Sequence, residues 1–172
     1  LGQVVKYDFS TPDEIPERVK DAQVLVINKA PMNEQTLGQA EKLKLICVTA
    51  TGTNNLDKAY LEQRRIAWRN VADYSTHSVA QHTFAMLFYL MEHLRYYDDY
   101  VKQDRYTNDR CFTHFEKHFS ELTGKTWGII GLGNIGRQVA KAARAFGARI
   151  IYYSASGQKG QDGYEQVDLD TL

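Results

Sequence analysis

Three glycines, Gly131, Gly133 and Gly136, stand in the pattern Gly-x-Gly-x-x-Gly within the run WGIIGLGNIGRQVAKAARAFGARIIYYSASG, from Trp127 to Gly157. The pattern alone is weak evidence; its surroundings give it weight. Trp127–Ile130 reads as a strand before it. Ile135, Val139, Ala142, Ala143 and Phe146 follow at helical spacing, Gly147 ends that helix, and Arg149–Tyr153 reads as a second strand. In such a unit the first glycine permits a tight turn and the third lets the helix lie close to the strand. The second lets backbone approach a diphosphate with no Cβ in the way. The N–H groups and positive end of the helix then face the diphosphate. A bound dinucleotide is the chemistry this stretch predicts.

Ser154 ends the second strand, 18 residues after Gly136. A carboxylate near there would take the ribose hydroxyls of NAD in hydrogen bonds and would repel a 2′-phosphate. Ser154 can donate to either group and repels neither. Ser156 and Lys159 follow, and the Lys159 side chain is long enough to reach a phosphate. The cofactor expected is therefore NAD or NADP, with the choice open.

A second constellation is Ala50-Thr51-Gly52-Thr53-Asn54-Asn55-Leu56-Asp57. It leaves the end of an apolar strand, which is where open α/β sheets bind ligands. Amides around Thr51, Gly52 and Thr53 could cradle a carboxylate, as successive turn amides do. A plain turn fits the composition too. Asp57 is placed to cap the following helix. Tyr74 precedes Ser75, which reads as a helix N-cap. Tyr74 is thus placed either to line a cleft or to pack on the helix start. The histidines show no metal spacing except the pair His114 and His118, and two ligands do not make a site. No metal is expected; His77, His82 and His93 read as packing or surface residues.

The elements that must position these residues alternate between strand and helix. Val4–Tyr7 reads as a short strand, and Ser10-Thr-Pro-Asp-Glu-Ile as a helix start with a capping hydroxyl. Gln23–Asn28 and Leu45–Thr49 read as buried strands, Asn33–Lys42 and Leu56–Arg64 as helices, and Ile66–Asn70 as a further strand. Such alternation implies parallel sheets with helical crossovers. Ser75 to about Arg105 reads as one long helix. Residues 106–122 read as irregular and rich in aromatics, packed either on their own domain or, as favoured, on a partner subunit. The expected division is one α/β domain over 1–100, a connection over 101–122 and the opening of a second α/β domain over 123–172.

Bulk properties narrow the function. The 172 residues are 43% hydrophobic and 24% charged, with zero formal net charge. That suits a folded chain whose main partner is neither nucleic acid nor an anionic membrane. The longest apolar run, Phe84–Met91, is shorter than the roughly 20 residues a bilayer span needs. Cys47 and Cys111 lack redox or metal spacing and read as free buried thiols in a reducing cytoplasm; no signal peptide pattern is visible. The start at Leu1 and the helix-like opening at Asp168-Leu-Asp-Thr-Leu172 suggest a piece of a longer protein.

Four stretches together resemble the D-isomer-specific 2-hydroxyacid dehydrogenase family. They are Asn28–Pro31, Leu45–Asp57, Asp73–Thr76 with Val79–His82, and Thr126–Gly136. The wording Thr-Gly-Thr-Asn-Asn and Val-Ala-Gln-His-Thr is similar to the glycerate dehydrogenase, or hydroxypyruvate reductase, branch. The resemblance implies a flavodoxin-like substrate domain followed by the first half of a Rossmann domain. It implies reversible hydride transfer between a small D-2-hydroxy acid and its 2-keto acid, a nicotinamide cofactor and a homodimer clasped by the arm before Gly124. By position, Thr51, Gly52 and Thr53 match the loop whose amides hold the substrate carboxylate, and Tyr74 matches a residue flanking the substrate. Asn134 and Ile135 match the pair whose amides meet the diphosphate. Gln81 stands where the family often has Glu, and Ser154 where NAD-dependent members have Asp. The family's catalytic Arg, Glu and His lie beyond Leu172, so no catalytic residue is expected here and the chain alone should be inactive. The first strand and helix of the substrate domain are also expected to be missing. A dinucleotide-sensing binding protein or corepressor of the same fold is the alternative.

Overall fold

The computed structural model describes residues 2–157 and 163–172. The chain divides into two compact units, Leu1–Tyr74 and Ser75–Leu172.

The first unit runs α1 (Ile15–Val19), β1 (Val24–Ile27), α2 (Glu34–Leu37), β2 (Leu45–Val48), α3 (Lys58–Gln63) and β3 (Ala67–Asn70). The strands form a parallel sheet in the order β1-β2-β3, with Val24 opposite Leu45 and Val48 opposite Asn70. Alternation decides which side chains face the core. Ile46 and Val48 are buried with Ile15 and Val19 of α1, Leu37 of α2 and Leu61 of α3. Short helices need side-chain help at their ends. Asn33 and Thr36 exchange side-chain and backbone bonds at the start of α2, and the Asp57 carboxylate accepts from the Tyr60 amide at the start of α3, as expected.

Three expectations change here. Val4–Tyr7 forms no strand, and Val4 is 88% exposed. A strand needs a neighbour for its backbone groups, and none among the described residues pairs with this segment. Arg18 holds it instead, donating to the Phe9 carbonyl and the Ser10 hydroxyl and lying over the Tyr7 ring. Helix α1 begins at Ile15, not at the Ser10–Thr11 hydroxyls, because Thr11 donates its amide and hydroxyl to the Glu14 carboxylate in a preceding turn. Strand β1 is only half buried: it lies at the sheet edge with one face covered, and Val24 and Val26 point outward.

The second unit runs α4 (Thr76–Met91), α5 (Leu94–Lys102), α6 (Arg105–Asn108), β4 (Thr126–Ile130), α7 (Asn134–Ala145), β5 (Arg149–Tyr153) and β6 (Glu165–Gln166). Its sheet is parallel in the order β4-β5-β6; the short β6 has no counterpart in the sequence reading. Val139, Ala140 and Ala143 of α7 pack on Ile129, Ile150 and Tyr152. Helix α4 adds Ala80 and Phe84 to this core, and the Phe84 ring lies 5.1 Å from Trp127 and 5.8 Å from Phe146. The helix read as closing a domain over 1–100 therefore packs within the second unit.

The single long helix read over Ser75–Arg105 is three helices. His93 (φ 50°) and Asp104 (φ 56°) adopt left-handed backbone, which a right-handed helix cannot continue through. The break frees Tyr96, Tyr97 and Tyr100 to engage the irregular segment after α6. His114 stacks on Tyr100 at 4.0 Å between ring centroids, and the Tyr97 hydroxyl donates to the Lys117 carbonyl. Phe112, Phe115 and Phe119 of the same segment are exposed. Cys47 is half-buried, but Cys111 is exposed, because it lies in this loosely packed segment and not in a core. No helix among the described residues is long and apolar enough to cross a membrane.

Candidate functional site

The glycine turn of the second unit is built by β4, α7 and β5. The Gly131 amide donates to the Tyr153 carbonyl, which ties the turn to the end of β5. The three glycines differ in what demands them. Gly131 has φ +89°, open to glycine and strained for other residues. A Cβ on Gly136 would run into the Gly131 carbonyl oxygen and press on Ile129 at 3.3 Å. Gly133 has an ordinary φ of −80° and nothing within 4 Å of where a Cβ would lie. The fold does not need a glycine there, and the space in front of it is open.

Gly133 is the N-cap residue of α7, and no side chain caps this helix end. Its carbonyl accepts from Arg137, while the Ile135 and Gly136 amides find no backbone carbonyl acceptor among the described residues. Asn134 is exposed at the first position of the helix. These donors, the helix dipole and the bare Gly133 backbone fit a diphosphate. Ser154 is half-buried just past β5, with its hydroxyl 3.0 Å from that of Ser156. The Gly157 amide closes this turn onto the Ser154 carbonyl at 3.1 Å. Lys159 lies outside the described residues.

The loop after β2 reaches a similar end by other means. Asn55 donates to the Ala30 and Asn28 carbonyls at 2.9 and 3.3 Å. Met32 and Leu56 form a parallel bridge, with Met32 donating to Asn55 and Asp57 donating to Met32. On the other side, Asn70 donates to the Thr51 carbonyl at 2.7 Å and the Thr51 hydroxyl donates to the Val71 carbonyl at 3.1 Å. Between these braces no backbone carbonyl among the described residues takes the amides of Thr51, Gly52 or Thr53. Gly52 has no left-handed φ, and a Cβ there would only touch Asn54 Oδ1 at 3.4 Å. Like Gly133, it is a glycine the backbone does not demand.

Tyr74 is 64% exposed at the end of the first unit, three residues beyond Val71. Asp73 before it has φ +60°, in the left-handed region that costs a side chain strain. Ser75 holds the N-cap position of α4 but makes no capping bond with its side chain.

A model of the family described as D-isomer specific 2-hydroxyacid dehydrogenase, catalytic domain, matches residues 1–161. The chain belongs to the D-isomer-specific 2-hydroxyacid dehydrogenase family. A glycerate dehydrogenase of Methylorubrum extorquens is 35% identical over 94% of this chain and 50% of its own length. A D-lactate dehydrogenase from Aquifex aeolicus, solved with NAD and lactic acid, is 30% identical with a TM-score of 0.77, over 91% of this chain and 46% of its own. An acyclic imino acid reductase solved with NADPH and D-Arg is 26% identical with a TM-score of 0.83, over 97% of this chain and 52% of its own. The chain spans about half the length of the relatives it matches.

Within this family frame, the described residues contain no group of three metal-ligating side chains. His77 and His82 are exposed on α4, and His93 donates to the His118 carbonyl. His114 and His118 lie on no helix. The residues that sequence reading missed are the braces, Asn55 and Asn70. Their one visible signal is an amide side chain beside a strand end, which many unremarkable turns share.

Proposed function

We propose that this chain supplies the carboxylate-binding loop and the front half of the dinucleotide site of an NAD(P)-dependent oxidoreductase. The reaction is the interconversion of a small D-2-hydroxy acid and its 2-keto acid, of the glycerate and hydroxypyruvate type. The observation that carries the reading is the pair of glycines that neither packing nor backbone conformation demands, Gly52 and Gly133. Each could take a Cβ without a clash, and each lies beside amides that lack a backbone acceptor among the described residues.

In this reading the amides of Thr51, Gly52 and Thr53 hold the substrate carboxylate. Tyr74 flanks the substrate. Gly131 and Gly136 shape the turn, and the Asn134 and Ile135 amides meet the diphosphate beside Gly133. A bound nicotinamide dinucleotide would supply or accept the hydride. The proton donor, its carboxylate partner and the arginine belong to chain beyond Leu172, so this chain alone is inactive. The working protein is a homodimer in the cytoplasm.

The hydroxyls of Ser154 and Ser156 favour NADP tolerance. They stand together where a carboxylate would repel a 2′-phosphate, and they carry no charge. The test is to titrate NADH and NADPH against tryptophan fluorescence, with Trp68→Phe isolating the Trp127 signal, and to assay hydroxypyruvate reduction with and without the rest of the polypeptide. Saturable quenching by both cofactors, with turnover only in the full-length protein, supports the reading. Absence of binding by either cofactor overturns it, and a large preference for NADH overturns the NADP part.

A further inference from the structure

Asn70 is the last residue of β3, half-buried and paired in register with Val48. Its side-chain amide donates to the Thr51 carbonyl at 2.7 Å, across 19 residues of sequence. The acceptor is a carbonyl, so the NH₂ group of Asn70 faces it. The Thr51 carbonyl and the Gly52 N–H belong to one peptide, and no peptide bond among the described residues is cis. In a trans peptide the two groups point in opposite directions within one plane. Fixing the Thr51 oxygen therefore fixes the line of the Gly52 N–H and turns it away from Asn70, into the open side of the loop. A hydrogen bond to the carbonyl also polarises the peptide and makes its N–H a stronger donor.

Among the described residues, Asn70 alone hydrogen-bonds the Thr51 carbonyl. The Thr51 hydroxyl is spent on the Val71 carbonyl, and Val71 returns its own amide to the Ala50 carbonyl. Those bonds hold the chain just before the Thr51–Gly52 peptide but touch neither its carbonyl nor its N–H. Gly52 supplies no side chain to restrain it.

We propose that Asn70 is a positioning residue for the substrate carboxylate, acting through the Gly52 amide and touching no substrate itself. This rests on the reading of the Thr51–Thr53 loop as the carboxylate site. The geometry makes Asn70→Asp a sharp test, because an ionised Asp keeps the shape of Asn but can only accept, so it turns the bond to Thr51 into a repulsion.

The experiment measures KM for hydroxypyruvate, KM for the cofactor, kcat and the thermal midpoint in the full-length polypeptide, for Asn70→Asp, Asn70→Ala and Gly52→Ala. The expected result for both Asn70 variants is a rise of about tenfold or more in the hydroxypyruvate KM, with cofactor KM unchanged. Asn70→Asp should exceed Asn70→Ala. Unchanged hydroxypyruvate KM in both Asn70 variants overturns the proposal, as does a parallel rise in cofactor KM with a collapsed thermal midpoint. Gly52→Ala separates the two levels of the argument. If it raises the hydroxypyruvate KM while the Asn70 variants do not, only the role of Asn70 fails. If none of the three raises it, the carboxylate reading of the loop fails as well.

Discussion

The loop after β2 and the turn after β4 are both strand-to-helix connections at the carboxyl ends of parallel strands, and both leave backbone amides with no backbone acceptor among the described residues. They are stiffened by opposite strategies. The turn after β4 is fixed by the absence of side chains: Gly131 takes a positive φ, and Gly136 lets α7 close onto the Gly131 carbonyl. The loop after β2 is fixed by side chains, with Asn55, Asn70 and Thr51 clamping it to the loop after β1 and to the exit of β3. Steric permission produces a turn of one shape with few parts. Amide clamps allow a longer, more polar loop but make it depend on residues far away in sequence.

The largest effects that would break this contrast lie in the glycine turn. Gly136→Val places a side chain where the Gly131 carbonyl stands, so it should cost about 3 kcal/mol or more in denaturant unfolding of the full-length protein. Gly131→Ala should cost roughly 1–2 kcal/mol through its left-handed backbone. Gly133→Ala should leave stability within about 0.5 kcal/mol, since its backbone and surroundings accept a Cβ. Its cost should fall on the ligand, weakening NADH on the order of tenfold. If Gly133→Ala unfolds the protein, or binds NADH like the parent, the division of labour among the three glycines is wrong.

What was legible in the sequence follows the same divide. The glycine turn, α7 and β5 could be read because local spacing alone dictates them: Val139 and Ala143 recur at helical period and Gly147 stops the helix. The parallel strands β1 and β2 were equally plain from their apolar runs. The clamps could not be read. Asn55 reaches a carbonyl 25 residues away and Asn70 one 19 residues away, and both bonds exist only once the sheet register is set. The helix break at His93 also left no trace, because no Gly or Pro marks it. Val4–Tyr7 misled for the complementary reason: β-prone residues specify a strand only when a neighbour is there to pair with them.

The side-chain strategy predicts smaller and more distributed losses. Asn55→Ala removes two bonds and leaves the Ala30 and Asn28 carbonyls to find water, so it should cost about 1–3 kcal/mol. Asn55→Asp should do no better, because a carboxylate cannot donate to those carbonyls. Asp57→Ala removes the cap of α3 and should cost about 1 kcal/mol. Urea unfolding of the full-length variants measures all three. A loss from Asn55→Ala as large as that from Gly136→Val would mean that the two loops are stiffened alike.

The smallest effect distinguishes both turns from the arm that follows α6. The turns present uncharged amides, whereas the arm is held by ionisable pairs. The Tyr96 hydroxyl donates to the Glu116 carboxylate at 2.7 Å and so accepts from His114 Nε2, also at 2.7 Å. The bond from Tyr96 holds the Glu116 carboxyl below its ordinary value of 4.5 and lifts the Tyr96 phenol to about 12. A depressed carboxylate contributes stability above its unfolded value and loses it as pH falls through the folded one; a raised phenol contributes below 10.0 and loses it as pH rises toward 12. Amide protection factors in residues 109–118, taken against the intrinsic exchange rate at each pH, should therefore be highest between those limits and fall on acidification below about pH 4.5, while protection around Gly133 and Gly52 stays constant. Tyr96→Phe should speed exchange in the arm at neutral pH and flatten its acid limb. An acid limb of equal size at Gly52 or Gly133 would show that charge, and not amide geometry, holds the turns as well.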